Sequence, residues 1–289
     1  MRAAASGQTI LTLKESHMRI THTALRLGAA ALLATPLLLL EGCSSSEAAP
    51  VAAPPAPAPA PAARVTAILV HGAWADGSSW SRVTPLLQAR GIDVVAVQLR
   101  RASLAEDAAI VQRAVADQKG KVVLVGHSYG GAAITEGGND AKVGALVYVA
   151  AFAPGDGESI NDLISPYPAG AWQAGLVPDS AGNLRLATDA YTTYFAADLP
   201  KDEAALLATS QGPIFAHVLQ DKVTNAAWKS KPSYWALSAN DQIIPAAFQQ
   251  GEAARIKAKL TTIAGGHTEL LSHPQEVAGV ILDAVEHLQ

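Results

Sequence analysis

Four short runs of β-branched and aliphatic residues constrain this chain more than any other feature: RVTAILVHG (64–72), IDVVAVQL (92–99), KVVLVGHS (121–128) and KVGALVYVAA (142–151). None alternates cleanly between apolar and polar, so none can keep one face in water, and each needs cover on both sides. The segments between them have helix length. SSWSRVTPLLQARG (78–91) ends at a glycine, and SLAEDAAIVQRAVADQKG (103–120) opens with Ser103 and Glu106 in capping-box spacing. Two further runs, SYWALSA (233–239) and LTTIAGG (260–266), flank a helical PAAFQQGEAARIKAK (245–259), and a helix with Pro274 near its start closes the chain. Six buried strands joined by crossover helices predict an α/β fold, a mostly parallel sheet with helices on both faces.

Residues 154–230 interrupt this rhythm. They are rich in Pro, Gly and aromatics before turning helical near 201–220, and they are too long for a crossover loop. The segment reads as a cap inserted over the carboxyl edge of the sheet, where α/β folds bind ligands.

The first 43 residues read differently. From Met18, Arg19, His22 and Arg26 lead into an apolar run, Leu27 to Leu40, which is short for a membrane span. The seventeen residues before Met18 have no apolar periodicity and read as an upstream extension. Cys43 is the sole cysteine, so no intrachain disulfide forms. It follows the apolar run and precedes a Pro/Ala-rich stretch (44–63) that predicts a semi-rigid tether. This arrangement resembles a bacterial lipoprotein signal, with Glu41 departing from the small or apolar residue usual two places before the cysteine. The expectation is an exported envelope protein, lipid-anchored to a bacterial membrane through Cys43 or otherwise periplasmic or secreted. Its folded domain then spans 64–289. A formal net charge of -4 with no basic stripe beyond the signal argues against nucleic acid as a partner.

Chemistry concentrates at GHSYG (126–130). At ordinary Gly and Ser usage the GxSxG pattern arises by chance in roughly one chain of this length in ten, so context decides. Here an apolar strand precedes it and YGGAAITEGG leads into a helix, the setting of a nucleophile elbow. A serine hydroxyl needs a base and a carboxylate to orient that base. Asp241, in NDQIIP, and His267, in GGHTELLSHP, each follow a strand and belong at the same sheet edge as Ser128. His273 reads as a helix cap. His127 should point away from the serine, and Asp140, Asp156 and Asp162 rank below Asp241 as the acid. The oxyanion of an acyl-transfer intermediate needs two N–H donors. Tyr129 supplies one from the elbow, and Ala73, beyond Gly72 at the first strand's exit, supplies the other. His71 reads as a structural residue of that loop. No metal or cofactor is called for.

The blocks VHGAWADGSSWSRVTPLLQARG, GHSYGG, NDQIIP and GGHTELLSHPQEV resemble the α/β-hydrolase superfamily over about residues 65–289. Within it they resemble the branch of plant hydroxynitrile lyases and methyl esterases such as the salicylic-acid-binding esterases. The resemblance implies Ser128, Asp241 and His267 as the triad and Ala73 and Tyr129 as oxyanion donors. In the lyases a lysine follows the catalytic histidine and a threonine follows the first-strand histidine; here those positions hold Thr268 and Gly72. The expectation is a serine hydrolase of small carboxylic esters. The alternatives are a cofactor-free lyase of the cyanohydrin type and a non-catalytic envelope binding lipoprotein. Haloalkane dehalogenation is excluded, because it needs a carboxylate where Ser128 stands.

Overall fold

The computed structural model describes residues 64–288; the expected export signal, Cys43 and the expected Pro/Ala tether lie outside the described residues. The chain runs β1 (Thr66–Val70), α1 (Thr84–Gln88), β2 (Asp93–Ala96), α2 (Leu104–Ala116), β3 (Val122–His127), α3 (Gly130–Gly137) and β4 (Val143–Val149). The cap follows: α4 (Ile160–Ile164), β5 (Leu176–Pro178), β6 (Asn183–Leu186), α5 (Thr188–Ala190), α6 (Lys201–Ser210) and β7 (Ile214–Phe215). The chain then returns through β8 (Ser233–Ser238), α7 (Ala246–Arg255), β9 (Lys259–Ile263), α8 (Glu269–Ser272) and α9 (Pro274–Glu286).

The six expected strands form one sheet in the order β2-β1-β3-β4-β8-β9, and every pairing in it is parallel. β3, VVLVGH, is buried at all six positions, with α3 and α9 both packed against it. That is the physical reason its sequence shows no alternation: a strand covered on both faces has no solvent side to keep polar. Parallel strands also put every carboxyl end on one edge. Ser128, Asp241 and His267 follow β3, β8 and β9 by one, three and four residues, so the topology gathers residues far apart in sequence.

Three expected helices are cut short. The segment 78–91 splits into a 3-10 turn, Gly77–Trp80, and α1, because Pro85 lacks the N–H that a continuous helix would use and its ring would meet the preceding turn. Asp76 caps the 3-10 turn by accepting the Ser78 N–H at 2.7 Å. The helix expected over 245–259 stops at Arg255, and Lys257 turns the chain at φ 56°. Half of the expected capping box at α2 is present: Ser103 Oγ accepts the Glu106 N–H at 3.2 Å, while the Glu106 carboxylate pairs with exposed Arg100 instead. In the cap, the helix expected near 201–220 ends at Ser210. It gives way to β7, which completes an antiparallel sheet in the order β5-β6-β7. Among the described residues no helix is long and apolar enough to cross a membrane.

The α2 cap sets up a stability test. Ser103→Ala removes the N-cap acceptor and should cost about 0.5–2 kcal/mol in urea unfolding. Glu106→Ala should change stability by no more than about 0.5 kcal/mol, because its partner is an exposed ion pair. Equal losses in the two variants would contradict the half-formed box.

Candidate active site

Ser128 occupies a backbone position that side chains rarely adopt, φ 52°, at the turn from β3 into α3. Crowding explains the flanking glycines. A Cβ at Gly126 would lie 2.6 Å from the Gly130 carbonyl oxygen, and one at Gly130 would lie 2.5 Å from the Val70 carbonyl oxygen. The turn thus presses against the end of β1, and its serine hydroxyl is carried clear of the sheet.

His267 meets that hydroxyl. Its Nε2 lies 3.1 Å from Ser128 Oγ, and its Nδ1 lies 2.8 Å from Asp241 Oδ2. An ionised carboxylate only accepts, so Nδ1 carries the proton and Nε2 is left to accept from the serine. Asp241 is held in turn. Oδ1 accepts the N–H groups of Ile243 and Ile244 at 2.8 and 2.9 Å, and Oδ2 also accepts Gln249 Nε2–H at 3.1 Å. Gln249, fully buried on α7, also donates to the Ile244 carbonyl and accepts the Ser238 N–H. Sequence reasoning passed over Gln249; a glutamine beside Phe248 on the apolar face of an amphipathic helix was the available signal.

The expected oxyanion donors frame the same space. Ala73 and Tyr129 both line the cavity above Ser128, and among the described residues neither amide donates to another backbone group. Tyr129 is the N-cap of α3, where backbone donors are left without helical partners. Its ring is anchored from behind, with the phenol donating to Asp107 Oδ2 at 2.7 Å. Buried Asp107 also accepts the N–H groups of Arg100 and Arg101. Burial pushes the Asp107 carboxyl up from its ordinary range, while the Tyr129 phenol and those backbone donors pull it back. Beyond Ala73, Trp74 takes a left-handed backbone at φ 54°, uncommon for a bulky residue. The cap holds it there: its indole N–H donates to the Leu184 carbonyl at 3.0 Å, and its ring meets Trp172 and Phe195 edge-on.

The other histidines and acids fall into place. His71 accepts the Leu99 N–H at Nε2 and donates from Nδ1 to the Gly72 carbonyl. Burial holds it neutral, with its pKa pushed down to about 4. It is a strut of the first loop. His127 does not turn away from the site as its strand position suggested. Its Nε2–H donates to the His267 carbonyl at 2.8 Å, and its ring lies 4.8 Å from that of His267. Burial keeps His127 neutral, well below the usual imidazole range. His273 sits at the N-cap of α9, with Nδ1 2.8 Å from Ser272 Oγ and no side-chain cap bond. Asp140 is exposed, Asp156 pairs with Lys229, and Asp162 completes the capping box of α4. None of these three reaches His267. Among the described residues no group of His, Cys, Asp and Glu is arranged to hold a metal.

Above Ser128 lies a cavity of about 290 Å³. Its walls include Phe152 and Phe248 from the core domain and Ile160, Tyr167 and Trp172 from the cap, with Gln173, Gln242 and Ser165 as polar points. Among the described residues no Asp, Glu, Lys or Arg lines it. Sequence reasoning left the cap's contribution unread, because contacts between an insertion and a sheet edge have no periodic signature.

Fold and site together have the arrangement of a serine hydrolase. The α/β-hydrolase family model matches residues 67–280, and the chain belongs to that family. No curated protein matches the sequence. Among solved structures, the chain is similar to polyneuridine aldehyde esterase: TM-score 0.67, 21% identity, covering 76% of this chain and 98% of that one. It is also similar to a pyrethroid hydrolase from Sphingobium faniae, with TM-score 0.65, 21% identity and coverage of 76% and 96%. A third likeness is to an extracellular α/β-hydrolase from a Paenibacillus species, with TM-score 0.66, 20% identity and coverage of 76% and 98%. At these identities the likeness is one of fold. The hydrogen-bonded Ser128, His267 and Asp241 fit a serine-hydrolase mechanism.

One buried acid stands apart from that machinery. Glu269 is 0% exposed, and among the described residues neither carboxyl oxygen has a hydrogen-bond partner; the nearby Ser238 hydroxyl is given to the Gly266 carbonyl. Burial, reinforced by the negative charge of Asp241, pushes its pKa well above the ordinary 4.5. The folded protein therefore keeps a proton that the unfolded chain releases. The stability this gives is complete below pH 4.5 and is lost as pH rises toward the folded pKa. Glu269→Gln cannot titrate. Its melting temperature should gain on the wild type as pH rises from 4.5 to 8, by up to about 2–4 °C per pH unit for a domain of this size. A difference that stays flat across that range would contradict a buried, neutral Glu269.

Proposed function

We propose that this protein hydrolyses small, uncharged carboxylic esters through an acyl-enzyme. The observation that carries the reading is the continuous chain Asp241–His267–Ser128 beneath an apolar cavity, with Ala73 and Tyr129 among the residues lining it. Ser128 Oγ attacks the ester carbonyl while His267 Nε2 takes its proton. The carbonyl electron pair moves onto oxygen, where the two amides receive it. His267 returns the proton to the departing alcohol as the C–O bond breaks. Water then attacks the acyl-enzyme with the same histidine as base, releasing the acid and restoring Ser128. Asp241 keeps its proton-free form throughout, fixing the imidazole and stabilising its cation.

The cavity supports the substrate class. A carboxylate or ammonium entering it would leave water for a wall without a countercharge, a cost of several kcal/mol. Among the proteins of similar fold, one is named an esterase, polyneuridine aldehyde esterase, and another a pyrethroid hydrolase, which supports a hydrolytic reading. Cyanohydrin cleavage has less support. At position 72, a Cβ would lie 2.7 Å from Ser128 Cβ, so the glycine leaves no room there for a threonine. Thr268 gives its hydroxyl to Asp198 and does not line the main cavity. A purely binding role leaves the activated serine without a purpose.

Ser128→Ala should abolish both p-nitrophenyl butyrate turnover and fluorophosphonate labelling, and Asp241→Asn should cut kcat by about 10⁴-fold. His267→Ala should add nothing to Ser128→Ala, since these groups act as a unit. Esters bearing a free carboxylate should be turned over at least tenfold more slowly, judged by kcat/KM, than uncharged esters of equal size. Labelling that persists at another serine, or serine-dependent cyanide release from mandelonitrile exceeding ester hydrolysis, would overturn the reading.

The segment before the domain supports a location. We propose export and attachment to a bacterial membrane through lipid on Cys43, with residues 44–63 as the tether. Stable attachment takes two membrane signals, for example two acyl chains. Metabolic palmitate labelling in the native host should mark the wild type and spare Cys43→Ser. Unlabelled wild-type protein recovered wholly in a soluble fraction would rule the anchor out.

A further inference from the structure

Apart from Asp241 and Ser128 on the His267 ring, three side chains fasten Gly266–Thr268, the stretch that carries His267 between β9 and α8. Two belong to the core domain: His127 donates to the His267 carbonyl, and Ser238 Oγ donates to the Gly266 carbonyl at 2.5 Å. The third is a carboxylate from the cap, Asp198, placed between the π-helical turn Tyr191–Phe195 and α6. Its Oδ2 accepts the Gly266 N–H at 2.9 Å and the Ser272 hydroxyl at 2.5 Å, and its Oδ1 accepts the Thr268 hydroxyl at 2.5 Å. Asp198 thus holds the residue on each side of His267 and the end of α8 as well. The same cap turn sets the Phe195 ring edge-on to the imidazole at 4.9 Å.

The sequence accommodates this carboxylate. A Cβ at Gly266 would lie 2.8 Å from Asp198 Cγ, so the second glycine of GGHT clears the place where the carboxylate sits. Thr268 and Ser272 both spend their hydroxyls on the same group. We infer that Asp198 is a positioning residue: through Gly266, Thr268 and Ser272 it holds the His267 imidazole in register with Ser128, which makes the cap a working part of the base. The inference rests on the serine-hydrolase reading for its kinetics but not for its geometry. Misplacing a base by about 1 Å costs on the order of 100-fold in rate, and substrate contact is made elsewhere, on the cavity walls. Loss of Asp198 should therefore fall on kcat and leave KM nearly unchanged.

The test compares purified full-length wild type with Asp198→Ala, Asp198→Asn, Gly266→Ala and Thr268→Val. Asp198→Ala should lower kcat for p-nitrophenyl butyrate by roughly 10- to 100-fold, with KM within about twofold of the wild type. The rate of fluorophosphonate labelling should fall by the same factor, because both reactions need the activated serine. Asp198→Asn, which keeps one acceptor oxygen, should recover part of the loss. Gly266→Ala should reproduce it by pushing the carboxylate away. Thr268→Val should give a smaller loss that disappears in the Asp198→Ala background. The low-field proton resonance of the His267–Asp241 hydrogen bond should shift or broaden in Asp198→Ala and stay sharp in wild type. A variant that melts at a lower temperature but retains wild-type kcat, labelling rate and low-field resonance at 25 °C would reduce Asp198 to a structural tie and overturn the inference. If Asp198→Ala does not fold, Asp198→Asn and Thr268→Val carry the same comparisons. Wild-type protein left unlabelled at Ser128 would count against the ester-hydrolase reading, and the low-field resonance would then decide the role of Asp198 by itself.

Discussion

The close approach of the Ser128 turn to the end of β1 is the constraint on which the site depends. With the Gly130 Cα packed against the Val70 carbonyl, the elbow cannot relax toward the sheet, and Ser128 stays at φ 52° with its hydroxyl raised. A left-handed backbone at a residue with a side chain costs of order 1–3 kcal/mol and persists where the surroundings over-determine it. Here they do. The Ser128 N–H is bonded to the Val149 carbonyl, and the Ser128 carbonyl accepts from Gly131 and Phe152, so both peptide groups flanking the serine are tied to neighbouring elements.

Around this turn the protein buries a large amount of polar chemistry, and most of it is partnered. Asp241 accepts four hydrogen bonds when the His267 contact is included. Gln249 links that carboxylate to the end of β8, and His127 supports the backbone beneath the base. An ionised group in such a place is tolerable because donors replace the water it has lost. The contrast is Glu269, two residues beyond the base. The same shell holds one carboxylate rich in hydrogen-bond donors and another without a partner among the described residues, the second pushed well above its ordinary pKa by burial.

The cap does more than roof the cavity. It holds the first loop through Trp74, whose left-handed backbone is secured by Leu184, Trp172 and Phe195. It holds the last loop through Asp198. Arg82 adds a third tie, donating to both the Leu271 carbonyl and Glu203 on α6. Loops at the open edge of a parallel sheet have no ladder to fix them. Contacts from an insertion supply that order while also shaping the apolar walls.

Much of the architecture was legible in the residues themselves. Unalternating runs such as VVLVGH imply burial on both faces, and glycines flanking a serine between strand and helix imply an elbow; both are local consequences of sterics and solvation. Ser128, Asp241 and His267 could be chosen together because parallel topology sends every strand's exit to one edge. Tertiary structure alone decided the rest. His127 packs against the base although strand alternation points it away from the serine, since a strand's last side chain is aimed by whatever packs over it. The antiparallel strands of the cap, Gln249 under Asp241, and Asp198 across the base loop depend on contacts spanning from 6 to more than 70 residues. Such contacts are set by packing between elements, which no period or short motif records.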